Sequence, residues 1–218
     1  MTATTATWDE PVTSWILFFQ GFLQDEGGRT TLERVHRRVN QRCSGPNTII
    51  SIGGWRDNVS DKARRIANWR DEQTGDNPRV VIVGFSYGGW SATRVCVELQ
   101  KHDMPVEALL LCDPVGRFFG HLPSSFSMLD VIPIRVPANV RKLYTWRQKA
   151  NYPRGGRIVL EKPYAALSDG KNDGGVNGGT SWIEDKIFHF VPHESMDDHP
   201  DFQRTILQIA CPRGVVEI

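Results

Sequence analysis

The side chain with the clearest chemical potential in this chain is a serine held between glycines. Ser86 stands in Gly84-Phe85-Ser86-Tyr87-Gly88, which closes the apolar run Val80–Val83 and passes at once into a helical pattern. Small residues flank the hydroxyl where any side chain would obstruct a sharp strand-to-helix turn, so the turn can tighten until the serine oxygen stands clear of the sheet. A bare G-x-S-x-G arises by chance in glycine-rich chains. The strand before it and the helix after it mark this one as a nucleophile elbow.

A serine hydroxyl is a poor nucleophile at neutral pH and needs a base within hydrogen-bond reach, itself oriented by an acid. Histidine suits the base because its ordinary pKa lies near working pH. In an open α/β sheet the site lies beyond the carboxyl ends of the strands, so the useful candidates directly follow a strand. His36 and His102 fall on helices, His189 falls inside the predicted last strand, and His121 lies in a long loop. His193 follows that strand and is the expected base; His199, at the start of the final helix, is the alternative base.

By the same rule the acid is Asp113, which closes the apolar strand ending in Leu-Leu-Leu-Cys, with Glu161 and Asp169 as weaker choices. Acyl transfer also needs N–H donors for the developing oxyanion. Tyr87, after the nucleophile, supplies one, and the turn Gln20-Gly21-Phe22 after the first strand points to Phe22 for the other.

Two stretches invite a metal reading. Asp169–Gly179 has the glycines and asparagines of a calcium loop but carries Lys171 at the third position and Thr180 at the twelfth, where oxygen ligands are needed. The run His193–His199 would need ligands from elsewhere to complete a site, and its Asp197 or Asp198 is expected at the N-terminus of the following helix. Neither a metal nor a cofactor is expected.

The elements that position these groups alternate regularly. Ser14–Phe19, Asn47–Ile52, the Val80 run, Glu107–Cys112, Arg141–Gln148 and Lys186–Val191 read as strands, with a further short one at Arg157–Leu160. Thr30 to Glu33 is a capping box opening a helix that shows Leu32, Val35, Val39 and Cys43 on one face. Ser60 is a candidate cap for the next helix, and Pro200 a first helical residue for the last. Strand–helix alternation of this kind implies right-handed crossovers and a mainly parallel sheet of about six strands in a three-layer αβα sandwich. Between Pro114 and Asn139 the pattern fails in a proline-broken apolar stretch, expected to form a lid or the wall of an acyl pocket.

The whole chain of 218 residues suits a single domain, 1–218. Its 26 basic and 25 acidic residues leave a net charge of +1, so no global field recruits nucleic acid. Four separated cysteines form no C-x-x-C pair, and Cys96 and Cys112 read as buried small residues. Without a leader or a membrane-length apolar run, a cytoplasmic protein is expected.

From Trp15 to Ala210 the chain resembles the α/β-hydrolase superfamily, through GFSYGG at Gly84–Gly89, the order Ser86, Asp113, His193, and QGF where many lipases and esterases carry H-G-F. The resemblance implies Ser86 as nucleophile, His193 as base, and Phe22 with Tyr87 as oxyanion hole. An acid after the strand next to the nucleophile strand is similar to the pancreatic-type lipase arrangement. Gln20 departs from the usual histidine, and the few residues before Trp15 imply a reduced six-stranded core. The expected activity is hydrolysis of a small-molecule carboxylic ester, with an acyl thioester equally accessible to this chemistry. A non-catalytic binding protein that keeps the pocket is the alternative of another class.

Overall fold

Strong apolar strands with helices between them leave little choice but a covered sheet, and the computed structural model has one. It describes residues 13–22, 24, 30–73, 78–118, 122–123, 133–151, 156–161 and 182–212. Its elements are β1 (Ser14–Phe19), α1 (Thr31–Cys43), β2 (Thr48–Gly53), α2 (Val59–Glu72), β3 (Arg79–Phe85), α3 (Tyr87–Gln100) and β4 (Val106–Cys112). Three short strands follow, β5 (Arg117–Phe118), β6 (Leu122–Pro123) and β7 (Ile134–Val136). The chain then runs through β8 (Val140–Gln148), β9 (Ile158–Leu160) and β10 (Trp182–Phe188) to α4 (Pro200–Ala210).

The main sheet has six strands in the order β10-β8-β4-β3-β1-β2. Every neighbouring pair in it is parallel. Side-chain alternation divides the core between the two faces. Ile16, Phe18, Val81, Val83 and Phe85 pack with α1 and α4 residues such as Leu32, Val35, Phe202 and Ile206. Leu17, Phe19, Val80 and Ile82 pack with Ile66, Val95 and Leu99 of α2 and α3. This is the expected αβα sandwich.

The strand order fixes where a site can lie. From β1 the chain moves outward to β2, then returns to place β3 on the other side of β1 and continues the opposite way. A crevice therefore opens between the carboxyl ends of β1 and β3, the switch point at which open α/β sheets bind ligands. Phe19 and Gly84 are register partners there, so the Gln20 turn and the Ser86 elbow emerge side by side.

Several expectations need correction. The last strand is Trp182–Phe188 rather than Lys186–Val191, and His189 lies in the bend beyond it. An edge strand does not need a continuous apolar run. Its Asp185 is bound by Thr145 and Arg147 of β8, and its Lys186 by Glu184 and Asp201. The cap of α2 is Asn58, whose side chain accepts from the N–H groups of Ser60 and Asp61. Thr30 does cap α1, accepting from Glu33 N at 3.2 Å.

Of the stretch expected to form a lid, β5 and β6 pair antiparallel and β7 pairs parallel with β9. Residues 119–121 and 124–132 of that stretch, His121 included, lie outside the described residues, as do Asp169–Gly179 and the first twelve residues. Cys96 and Cys112 are buried and free, whereas Cys43 and Cys211 are paired in a disulfide joining the ends of α1 and α4, which the sequence does not signal. Among the described residues no helix is long and apolar enough to cross a membrane.

Candidate active site

The elbow's geometry follows from its glycines. A Cβ at Gly84 would lie 2.6 Å from the Gly88 carbonyl oxygen, and one at Gly88 would strike the Phe19 and Gln20 carbonyl oxygens. Only bare backbone lets α3 begin this close to the ends of β1 and β3. Ser86 sits at φ 53°, ψ −125°, a conformation costly for a residue with a side chain and held here from several sides. Its N–H donates to Cys112 O at 3.0 Å, and its carbonyl accepts from Gly89 N at 2.9 Å and Val115 N at 3.0 Å.

Ser86 Oγ lies 2.8 Å from Nε2 of His193. Nδ1 of the same ring lies 2.5 Å from Oδ2 of Asp113. The ionised carboxylate can only accept, so Nδ1 carries the proton and Nε2 is free to accept from the serine. Asp113 is fully buried, and its other oxygen accepts from Gln148 N at 3.0 Å. The His193 ring stacks on Phe85 with centroids 5.2 Å apart.

The histidine is also fixed through its backbone. Its N–H donates to Oδ1 of Asn151 at 2.8 Å, while Asn151 Nδ2 donates to Glu194 at 2.9 Å. Asn151 is in turn held by Gln148, whose Oε1 accepts from Ala150 N and Asn151 N. The end of β8 thus positions both the carboxylate and the loop that carries the imidazole. No sequence pattern singles out Gln148 or Asn151, because their importance lies in contacts across the sheet.

The other histidines have different surroundings. His199 caps α4, its Nδ1 accepting from Asp201 N at 3.3 Å, and its ring lies 4.4 Å from that of Phe188. His36 packs edge-on against Phe18 on α1, and burial pushes its pKa down.

The Gln20–Phe22 turn reaches the serine. A Cβ on Gly21 would lie 3.0 Å from Ser86 Cβ, so its backbone passes directly over the nucleophile. The Phe22 N–H has no acceptor among the described residues, and Tyr87 is the first residue of α3. Beside them the rings of Phe22, Trp55 and Tyr87 form a cluster, with Phe22 5.0 Å from Trp55 and 5.7 Å from Tyr87. The Arg56 guanidinium lies 4.6 Å from the Trp55 ring centroid.

The backbone carbonyls of Asp197 and Asp198 accept from Gln203 Nε2 of α4, but among the described residues their carboxylates make no hydrogen bond to the N–H groups of that helix. Both approach the first turn of α1: Asp198 accepts from Thr31 Oγ1 at 2.7 Å and Arg34 at 2.9 Å, and Asp197 accepts from the Leu32 N–H. α1 packs against α4, so its first turn comes within reach of the loop that leads into α4. Among the described residues there is no group of three or more His, Cys, Asp or Glu side chains that could hold a metal ion.

This arrangement sits in a chain whose residues 9–206 match the model of the alpha/beta hydrolase family. The chain belongs to that family. No curated protein matches it. Among solved structures it is similar to the alpha/beta hydrolase domain-containing protein 10 from mouse, at 14% identity over 93% of this chain and 89% of that one, with a TM-score of 0.46. A thioesterase of the prodiginine biosynthetic pathway in Streptomyces coelicolor is 12% identical over 95% and 90%, with a TM-score of 0.44. A hyperthermophilic esterase from the archaeon Pyrobaculum calidifontis is 15% identical over 93% and 76%, with a TM-score of 0.42.

Proposed function

We propose that this protein is a serine hydrolase that cleaves carboxylic esters through an acyl-enzyme on Ser86. The observation that carries the reading is the unbroken contact from Ser86 Oγ through both ring nitrogens of His193 to the buried Asp113 carboxylate. In the first step Ser86 Oγ attacks the ester carbonyl carbon as its proton passes to His193 Nε2. The resulting imidazolium is stabilised by Asp113 through the Nδ1 proton. Charge building on the carbonyl oxygen is met by the N–H groups of Phe22 and Tyr87, fixed in advance and so needing no reorganisation.

The tetrahedral adduct then expels the alcohol, which takes the proton from Nε2. Water repeats the sequence on the acyl-serine, giving its proton to His193, and the carboxylic acid leaves as Ser86 regains its hydrogen. The ring cluster of Phe22, Trp55 and Tyr87 with buried Val115 lends the crevice an apolar wall, which suits an acyl chain rather than a charged group.

The test is a series of p-nitrophenyl esters of rising acyl length, with matching acyl thioesters alongside. The expected result is ester turnover with kcat/KM rising from acetate to medium or long chains. A protein that turns over none of these substrates and yet binds them would be the non-catalytic relative instead.

A further inference from the structure

One peptide plane decides whether the Phe22 N–H can serve an oxyanion, because the amide is planar and its N–H points opposite to the Gly21 carbonyl. Gln24 grips Gly21 on both sides, at the carbonyl of that plane and at the N–H of the plane before it. Its backbone N–H donates to Gly21 O at 3.3 Å, and its side-chain Oε1 accepts from Gly21 N at 2.9 Å. Gln24 is itself held at two points. Its carbonyl accepts from Gln20 Nε2 at 3.2 Å, and its own Nε2 reaches Asp197 Oδ2 at 3.4 Å.

Only one orientation of the Gln24 amide satisfies both neighbours, since Gly21 N–H requires an acceptor and the Asp197 carboxylate requires a donor. Asp197 is 2% exposed and also accepts from the Leu32 N–H. A carboxylate so buried is kept only where donors converge on it. It lies in the loop that carries His193, on a part of the chain 173 residues from Gln24. The contact therefore ties the turn expected to bind the oxyanion to the loop expected to supply the base.

We propose that Gln24 and Asp197 are a positioning pair for the oxyanion turn: Asp197 fixes the Gln24 amide, and Gln24 holds Gly21 by its N–H and its carbonyl, the two planes that meet at Gly21 and together aim the Phe22 N–H over Ser86. The inference rests on the serine-hydrolase reading and adds to it two residues that touch neither substrate nor nucleophile. It explains how a chain with Gln20 at the head of this turn holds it without a histidine. Gln20 Nε2 bridges Gln24 O and Thr30 Oγ1, so the turn is secured to the cap of α1 on one side and to the His193 loop on the other.

The test uses kcat and KM for p-nitrophenyl butyrate at pH 8 in Gln24→Met, Gln24→Glu, Asp197→Asn and the double variant Gln24→Glu/Asp197→Asn, with Ser86→Ala beside them. Gln24→Met keeps the side chain's bulk and removes its amide; it should lower kcat about 10- to 100-fold with KM within about 3-fold, short of the 10²–10³-fold loss of a whole oxyanion donor. Gln24→Glu sets two carboxylates together and should lose as much. The double variant restores the connectivity with one proton moved across the pair, so its kcat should return to within about 3-fold of wild type. An unchanged kcat in Gln24→Met, or losses that multiply in the double variant instead of cancelling, would overturn the pairing while Ser86→Ala remains inert. If Ser86→Ala itself keeps wild-type turnover, the hydrolase reading fails and the pairing with it.

Discussion

Ser86 and Asp113 both occupy the left-handed backbone region, at φ 53° and φ 42°, each as the first residue beyond its strand. The Ser86 N–H donates to the carbonyl of Cys112, the residue before Asp113, so the two strained turns are hydrogen-bonded neighbours. Strain of this kind persists only where the surroundings enforce it. Asparagine tolerates this conformation better than most residues. Asp113→Asn should accordingly keep the fold while losing the correct tautomer of His193, lowering kcat about 10⁴-fold. Far-ultraviolet circular dichroism with steady-state kinetics checks both parts. A variant that folds and turns over normally would remove Asp113 from the mechanism.

The two histidines of the final loop should separate cleanly. His193→Ala removes the only imidazole in contact with Ser86 among the described residues and should abolish turnover. His199→Ala removes the side-chain cap of α4, so kcat should stay within about 3-fold while stability falls by about 1 kcal/mol. Kinetics and thermal melts of the two variants distinguish these roles.

Asp197 should leave a signature in the dependence of stability on pH. Burial, and then repulsion from Asp198, raise its pKa from 3.8 to about 6. A carboxyl whose pKa is raised by folding contributes stability below its unfolded pKa, and that contribution is lost as pH rises through the folded value. Between pH 4 and pH 7 the wild type should therefore lose about 3 kcal/mol relative to Asp197→Asn. Chemical denaturation of both proteins across this range is the measurement; parallel curves would show that the carboxyl titrates normally.

The Cys43–Cys211 disulfide closes a sequence separation of 168 residues between the ends of α1 and α4. Chain-entropy arguments give such a cross-link up to about 5 kcal/mol, realised in part. Reductant should lower the melting temperature of the wild type and leave that of Cys43→Ser/Cys211→Ser unchanged. Equal melting of reduced and oxidised wild type would mean that the bond adds nothing to the fold.

The elements read from sequence were those whose burial forces a pattern. Ser14–Phe19 and the Val80 run are covered on both faces, so they appear as continuous apolar stretches, and Ser86 is legible because its glycines answer a steric demand made within five residues. Asp113 is legible for a related reason, since it ends another such run. The last strand escapes the apolar pattern because β10 is an edge whose Asp185 and Lys186 find partners on neighbouring elements, with Glu184 paired to Lys186 along the strand itself. Gln24 and Asn151 carry no signal at all, and Asp197 reads from sequence only as a charge for the helix that follows it. Their chemistry consists of contacts between loops, such as Asn151 with His193 and Gln24 with Asp197, and only the folded sheet brings those loops together.

The central claim is that Ser86 is a nucleophile activated by His193, and covalent labelling tests it most directly. A fluorophosphonate probe followed by peptide mass mapping should place the adduct on Ser86 in the wild type, with no adduct in Ser86→Ala and a strongly slowed reaction in His193→Ala. Ester turnover should fall on the order of 10⁶-fold in Ser86→Ala. Equal labelling of wild type and Ser86→Ala, or an adduct mapped to another residue, would contradict the account.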